Sequence, residues 1–105
     1  MQSELTDADV FSALADPTRR QLVDWLAEEG NGTATRFAER LPMSRQAVAR
    51  HLQELEKAGL VDSSRSGRET RFVLRPEPLT AAVGWLEART GAWDRTLARL
   101  KDHLE

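Results

Sequence analysis

The 105-residue sequence contains no cysteine, which excludes disulfide bonds, thiolate metal sites and thiol redox switches. No uninterrupted apolar stretch approaches the roughly 18 residues that a membrane-spanning helix needs. The first seven residues, Met-Gln-Ser-Glu-Leu-Thr-Asp, lack the basic and apolar regions of a secretory signal. We therefore expect a cytoplasmic protein without a membrane partner.

Signs of catalysis are also scarce. The sequence has no glycine-rich phosphate-binding motif, and neither His51 nor His103 has an acid or base partner at a useful spacing. His103 follows Asp102, but adjacent residues of a helix do not face each other. We therefore predict no cofactor and no enzymatic activity. Because structural zinc requires about four arranged ligands, we also predict no metal site.

The net charge is −2, but the charge is unevenly distributed. Residues 1–35 carry seven acidic and two basic side chains, whereas residues 36–75 carry nine basic and five acidic ones. Eight of those nine bases are arginine, whose planar guanidinium group suits phosphates and guanine edges. The central segment is therefore a candidate nucleic-acid surface, and the alternative is a solvated surface with uneven charge.

Capping residues and apolar spacing divide the first sixty residues into four helices. Each predicted helix follows a residue able to cap it, namely Thr6, Asp16, Thr33 or Ser44. The fourth helix has apolar residues spaced by four and three positions, at Val48, Leu52 and Leu55. Gly59 is suited to end it. Residues 33–58 thus predict a helix-turn-helix with a turn of about three residues.

Residues 60–75 have the pattern of a β-hairpin. Thr70, Phe72 and Leu74 alternate with Arg71 and Val73, which is the period of a strand with one buried face. Gly67 supplies the flexible turn residue, and basic side chains lie at and beside the tip, at Arg65, Arg68 and Arg71. These arginines could contact the DNA backbone or its minor groove. Alternatively, they keep an exposed hairpin from aggregating.

The last predicted helix, residues 79–105, carries a heptad seam. The spacings alternate between four and three along Leu79, Val83, Leu86, Thr90, Trp93, Leu97, Leu100 and Leu104. This seam is longer than the surface that so small a domain could offer to cover it. We therefore predict that it pairs with a second copy of the chain. Packing of this helix on its own domain is the alternative.

The exposed face of the fourth helix has the design of a DNA-reading helix, with hydrogen-bonding side chains near its start. Arg45 and Arg50 could pair with guanine, Gln46 with adenine, and Ala49 would allow close approach to the groove. The Ser44 cap could also hold a phosphate. Taken singly, these are ordinary exposed helix residues, and their combination favours DNA.

Three strings resemble the arsenical-resistance-regulator (ArsR) type of bacterial winged-helix repressors. They are Leu-Ala-Asp-Pro-Thr-Arg-Arg at 14–20, Met-Ser-Arg-Gln-Ala-Val-Ala-Arg-His-Leu at 43–52, and Ala-Gly-Leu-Val at 58–61. The Gly67-Arg68 hairpin and the long last helix match too, so the resemblance covers about residues 8–104. It implies a homodimer that binds an imperfect palindrome in double-stranded DNA and usually represses its own operon.

The resemblance also implies that the first and last helices form the dimer interface. With the heptad seam, this gives the predicted interface residues Val10, Leu14, Val83, Leu86, Trp93, Leu97, Leu100 and Leu104. Many family members sense metals through cysteines, which this chain lacks, so it resembles the subgroup without a metal site. Any small-molecule effector is unidentified.

Some roles stay open. Trp25, Trp85 and Trp93 favour core or interface packing over a ligand pocket. Arg19 and Arg20 could reach a phosphate or pair with neighbouring acids, and the resemblance gives His51 a structural or backbone-contacting role.

The predicted fold is one mainly α-helical domain with a small β-hairpin, in the order α-α-α-α-β-β-α. It is a winged helix-turn-helix with a long C-terminal dimerisation helix. The predicted function is sequence-specific transcriptional regulation, and the alternative is a winged helix that binds another protein.

Overall fold

The computed structural model describes residues 7–104, which form five helices and three strands. Thr6, the predicted cap of the first helix, lies outside the described residues. The elements are α1 (Asp7–Ala13), α2 (Pro17–Glu29), β1 (Gly32–Thr33), α3 (Ala34–Ala38), α4 (Arg45–Lys57), β2 (Val61–Ser66), β3 (Glu69–Leu74) and α5 (Glu77–Leu104). Across these residues, no helix combines the length and apolar character needed to cross a membrane.

The predicted winged helix-turn-helix is confirmed, but the sheet has one strand more than predicted. The short strand β1 pairs antiparallel with β3, so that the strand order is β1-β3-β2. Two residues are too few to show a strand period, and Thr33 also caps α3 by accepting a hydrogen bond from the Arg36 amide at 3.1 Å. The cap was therefore visible in the sequence and the strand was not.

The turn between α3 and α4 is six residues long, and the prediction of about three was wrong. After Ala38 the chain continues in tighter turns, in which the amides of Arg40 and Leu41 bond carbonyls three residues back. These turns keep Leu41 packed against the core although it lies outside α3. Apolar spacing alone does not separate such turns from a helix.

Helix α5 begins at Glu77, two residues earlier than predicted. Pro78 lies within its first turn, where the missing amide hydrogen costs no helical hydrogen bond. The Pro76 carbonyl accepts the first hydrogen bond, from the Thr80 amide at 3.0 Å. Pro76 therefore precedes the helix, and Pro78 does not break it.

The core lies between α2, α3, α4 and the sheet. Its largest fully buried side chains are Phe37, Leu22, Leu26, Leu52, Leu55, Leu60, Val48 and Val61. The ring of Phe37 stacks on Trp25 at 5.5 Å, and the Arg40 guanidinium lies 5.0 Å above the Trp25 ring. Trp25 is thus a half-buried packing residue at the edge of the core. This core fixes α4 with its predicted apolar face inward.

Helix α5 leaves the body of its own chain. Its 28 residues bury only Ala82, and the radius of gyration is 18.1 Å, whereas a compact chain of this length would have about 13 Å. The large side chains of the predicted seam are 44–83 % exposed from Val83 onward. The seam is therefore not covered by its own domain.

Two residues of α1 differ from the predicted dimer interface. Val10 is 2 % exposed and belongs to the core of its own chain, so it offers almost no surface to a partner. Its neighbour Phe11 is exposed instead, and its ring meets Trp85 of α5 edge-on at 5.7 Å. Leu14 is half-buried.

Candidate nucleic-acid interface

The orientation of α4 follows from its cap and its buried face. The Ser44 hydroxyl accepts a hydrogen bond from the Ala47 amide at 3.1 Å, which fixes the start of the helix. Val48, Leu52 and Leu55 are fully buried. The side chains on the other side of the helix must therefore face solvent. Exposed on that side are Arg45, Gln46 and Arg50, with Ala49 half-buried between them.

The wing, residues 61–74, stands beside α4 and forms a groove with it. Its strands are joined by the two-residue loop Gly67-Arg68, where Gly67 has a φ of +65°. Arg45 and Ala49 line the helix side of the groove, and Arg65 and Arg68 line the wing side. The structure thus brings together four of the predicted site residues. Gln46 is exposed but does not line this groove, and Arg50 lines a separate depression beside His51.

Ion pairing separates the central basic residues into two groups. Glu29 binds both Arg36, at 3.1 Å, and Arg40, at 2.5 Å. Lys57 pairs with Glu54 at 3.3 Å, and Arg75 with Asp62 at 3.6 Å. Within residues 7–104, the bases of this segment that form no ion pair are Arg45, Arg50, Arg65, Arg68 and Arg71.

Arg71 differs from the other four because its guanidinium is bonded to a side chain outside α4 and the wing, whereas Arg65 Nη2 donates within the wing, to the Gly67 carbonyl at 3.4 Å. Arg71 Nη1 donates a hydrogen bond to Oδ1 of Asn31 at 3.0 Å. Side chains alternate between the two faces of a strand. Phe72 points to the buried face of the sheet, and Arg71 therefore points to the other, exposed face. Arg65 shares the groove with Phe72 and α4. Arg71 is therefore not brought together with Arg65 and Arg68.

Arg19 and Arg20 hold the end of α1 rather than pairing with acids. Arg19 Nε donates to the Ala13 carbonyl at 2.6 Å, and Arg20 Nη1 donates to the Leu14 carbonyl at 2.6 Å. These carbonyls have no further helical turn to satisfy them. The two arginines of the family-like string therefore join α1 to the start of α2.

His51 extends this network to α4. Its Nδ1 lies 3.5 Å from Nη1 of Arg19 and 3.9 Å from Oδ2 of Asp16. Asp16 caps α2 by accepting a hydrogen bond from the Arg19 amide at 3.0 Å. Partial burial acts to raise the pKa of Asp16, but this hydrogen bond and the charges of His51 and Arg19 outweigh it and hold the pKa below its usual value.

The lowered pKa of Asp16 predicts a pH-dependent contribution to stability. Because the native carboxylate loses its charge at a lower pH than the unfolded one, its contribution is present above pH ~4 and is lost as pH falls through the native pKa. We expect Asp16→Ala to lower the free energy of unfolding by about 1 kcal/mol at pH 7. Urea denaturation at pH 7 and pH 3 measures this.

Asp16→Ser is the matched control, since serine keeps a capping oxygen without a charge. It should retain most of the stability at pH 7 and show little change in its deficit with pH. An Asp16→Ala deficit that is equally large at pH 3 would contradict a role for the carboxylate charge.

Gln53 is a further residue of the candidate site, and it was not predicted from the sequence. It is exposed, lies one turn after Ala49 and lines the same groove as Arg45. Thr35, at the start of α3, lines the same groove. The available signal for Gln53 was helical period, because it is seven residues after Gln46 and four after Ala49.

Acidic and histidine side chains do not gather into a metal site in the part of the chain that the structure describes. No group of three or more has the geometry to hold an ion there. His51 and Asp16 are accounted for by their contacts with Arg19.

Comparisons with known proteins agree with this geometry. Residues 14–64 match the helix-turn-helix domain family. The transcriptional repressor SdpR of Bacillus subtilis is 32 % identical over 78 residues, which cover 74 % of this chain and 86 % of that protein.

Two solved structures extend the match beyond α4. An ArsR-like transcriptional regulator from Rhodococcus sp. RHA1 is 40 % identical, with a TM-score of 0.80, and the match covers 94 % of this chain and 92 % of that one. The homodimeric winged helix-turn-helix DNA-binding domain of Mb0332 from Mycobacterium bovis is 26 % identical, with a TM-score of 0.63 over 80 % of this chain and 77 % of that one. The chain belongs to the ArsR family of winged helix-turn-helix transcriptional regulators.

Proposed function

We propose that this protein is a homodimeric repressor that binds a short palindrome in double-stranded DNA and controls its own operon. The observation that carries the proposal is the distribution of the arginines without ion pairs. Four of the nine bases of the central segment pair with nearby acids, whereas Arg45, Arg50, Arg65 and Arg68 carry charge without an ion pair on α4 and the wing. A folded protein that keeps cations unpaired on one surface is suited to a polyanion.

Each element of this surface has a distinct task in the proposal. Helix α4 enters the major groove, where Arg45, Gln46 and Arg50 read base edges and Ala49 allows close approach. The amides at the start of α4, capped by Ser44, contact a phosphate. Arg65 and Arg68 place the wing on the neighbouring backbone or minor groove.

The dimer follows from the uncovered seam. Nearly all the large exposed apolar side chains of the described residues lie on α1 and α5, and Val73 is the exception. Mb0332, which shares this fold, is homodimeric. We propose an interface of Leu14, Val83, Leu86, Trp93, Leu97, Leu100 and Leu104, extended by Phe11 and Trp85. Twofold pairing then presents two copies of α4, as a palindrome requires.

The proposal includes a cytoplasmic location, with the chromosome, and no enzymatic activity. Sensing of metal by cysteine is excluded by the sequence. A signal that releases the protein from DNA would have to act through other groups.

Selection of bound duplexes from a random pool by the purified protein tests the function. We expect enrichment of one imperfect palindrome whose half-sites lie about one helical turn, 10–10.5 base pairs, apart. Enrichment of no sequence would contradict sequence-specific binding.

Truncation of the reading arginines should cost specific affinity. Because a bidentate arginine–guanine contact is worth about 1–3 kcal/mol, Arg45→Ala and Arg50→Ala should each weaken binding to the selected duplex by that amount. Their effect on a scrambled duplex should be smaller. Fluorescence anisotropy at fixed salt measures both affinities.

Lys57→Ala is the matched control, because Lys57 is a cation of the same helix that is paired with Glu54. It should change either affinity by less than about twofold. Equal losses for the arginine variants on the selected and scrambled duplexes would show that these arginines contact phosphates and do not read bases.

A further inference from the structure

Arg71 occupies the position at which the three-stranded sheet becomes a two-stranded ribbon. Strand β1 pairs with β3 through Gly32 with Phe72 and Thr33 with Arg71, and ends there. From Thr70 to the tip, β3 is paired only with β2. A two-stranded ribbon is marginally stable by itself, so the direction of the tip depends on how its root is held.

The partner of Arg71 is fixed to the helical body. Asn31 follows Gly30, which ends α2 with a φ of +88° and donates its amide to the Leu26 carbonyl at 2.9 Å. Asn31 itself is half-buried. Its hydrogen bond with Arg71, at 3.0 Å, therefore connects the root of the ribbon to the end of α2.

We propose that Asn31 and Arg71 form a clamp that positions the wing, and that Arg71 acts through Arg68 and Arg65 rather than by touching DNA. The inference rests on the proposed function, because it concerns the same DNA-binding surface. Two observations support it: the guanidinium is engaged by Asn31, and it lies on the sheet face away from the groove. The clamp holds the ribbon in the direction in which Arg65 and Arg68 reach the DNA backbone, and without it these contacts form less completely.

The variant Asn31→Ala separates positioning from direct contact. If Arg71 positions the wing, removal of its partner should weaken binding to the selected duplex about 3- to 10-fold, within the range of coupled neighbours. If Arg71 instead binds a phosphate, Asn31→Ala frees it and should leave the affinity unchanged or improved. Unchanged or tighter binding would overturn the clamp.

A second background tests whether the effect passes through the wing. In a protein that carries Arg65→Ala and Arg68→Ala, the clamp has no wing cations to position, so Asn31→Ala should cause no further loss of affinity. A merely structural defect would persist in that background, as would a direct contact by Asn31 or Arg71. A loss of the original size there would overturn the inference.

Salt dependence gives a third readout. Each phosphate contact contributes about −0.9 to the slope of log affinity against log salt. Asn31→Ala removes no charge from the protein. If the clamp directs both wing arginines to phosphates, the variant should have a slope that is less steep by up to about 1.8, the contribution of two phosphate contacts. A slope equal to that of the wild type, together with weaker binding, would contradict the clamp.

Failure of the proposed function is distinguishable from failure of the clamp. The wild type must prefer the selected duplex over a scrambled one, and Arg45→Ala must reduce that preference. If the wild type shows no preference, the function is wrong and the clamp falls with it. If the preference is present and Asn31→Ala leaves the affinity for the selected duplex intact, only the clamp is wrong.

Discussion

Replacement of Leu97 and Leu100 by aspartate is expected to convert the protein from a dimer into a monomer. Both side chains are about half exposed in the isolated chain, at 44 % and 52 %, and no part of their own domain covers them. Carboxylates at these positions would be buried without partners in a paired seam, which costs several kcal/mol per ion. Light scattering should report a mass near 11.8 kDa instead of twice that value.

The same variant should bind its operator at least about 100-fold more weakly. In the dimer, the second half-site is bound as an intramolecular step, and this advantage is lost when each monomer docks alone. The surface of α4 is untouched, so the salt dependence of binding to a single half-site should stay close to that of a wild-type half-site.

Ala88→Asp with Ala98→Asp is the matched control for the seam variant. Both alanines are exposed, Ala88 opposite the seam and Ala98 about 100° around the helix from Leu97, so the same two charges are added where no pairing is proposed. The control should remain dimeric and bind the operator. A dimeric mass for the Leu97 and Leu100 variant would contradict the seam.

Gly32→Ala should destabilise the fold and detach the wing from the helical body. A Cβ atom built at Gly32 lies 2.1 Å from Cζ of Phe37, a fully buried ring in the core. No flexible side-chain end can move aside, so β1 or the ring must shift. Overpacking of this kind typically costs about 1–3 kcal/mol, and we expect the upper part of that range. Urea denaturation measures the loss.

Gly84→Ala is the natural control for this substitution. It lies in α5, and a Cβ atom built there meets nothing within 4 Å. Because alanine favours a helix over glycine, this variant should be neutral or more stable by up to about 1 kcal/mol. If both variants were equally stable, the close approach of Gly32 to Phe37 would not be a constraint.

The elements that the sequence predicted well are those with repeating patterns. Helix α4 was predicted from its Ser44 cap and from Val48, Leu52 and Leu55, which the structure places at the start and on the buried face. The alternation of Phe72 with its exposed neighbours predicted the wing strand β3. Cap and period are local signals, so they could be read without the fold.

The features that were missed depend on contacts between distant residues. Strand β1 is too short to have a period and exists because β3 is there to pair with it. The hydrogen bonds of Arg19 and Arg20 to carbonyls at the end of α1 could not be predicted from the sequence, because they depend on the angle between α1 and α2. Val10 was assigned to a dimer interface, but the packing of α1 on α5 turns it into the core.

Charge distribution gave the location of the proposed nucleic-acid interface only coarsely. The sequence showed nine bases within residues 36–75, but not which of them are neutralised. The pairing of Glu29 with both Arg36 and Arg40 spans α2 to the turn after α3, a separation that no local pattern reveals. The structure thus narrowed the candidate DNA-contacting bases from the nine of this segment to four arginines on α4 and the wing.

Site-directed crosslinking tests most directly whether α4 reads DNA bases from both halves of a dimer. The chain has no cysteine, so a single Gln46→Cys substitution can carry a photo-crosslinker, with Ala88→Cys on α5 as the control position. With the selected palindrome, we expect crosslinks from position 46 to bases in both half-sites and none from position 88. Equal crosslinking from the two positions, or crosslinks from position 46 that fall in no preferred register, would contradict this expectation.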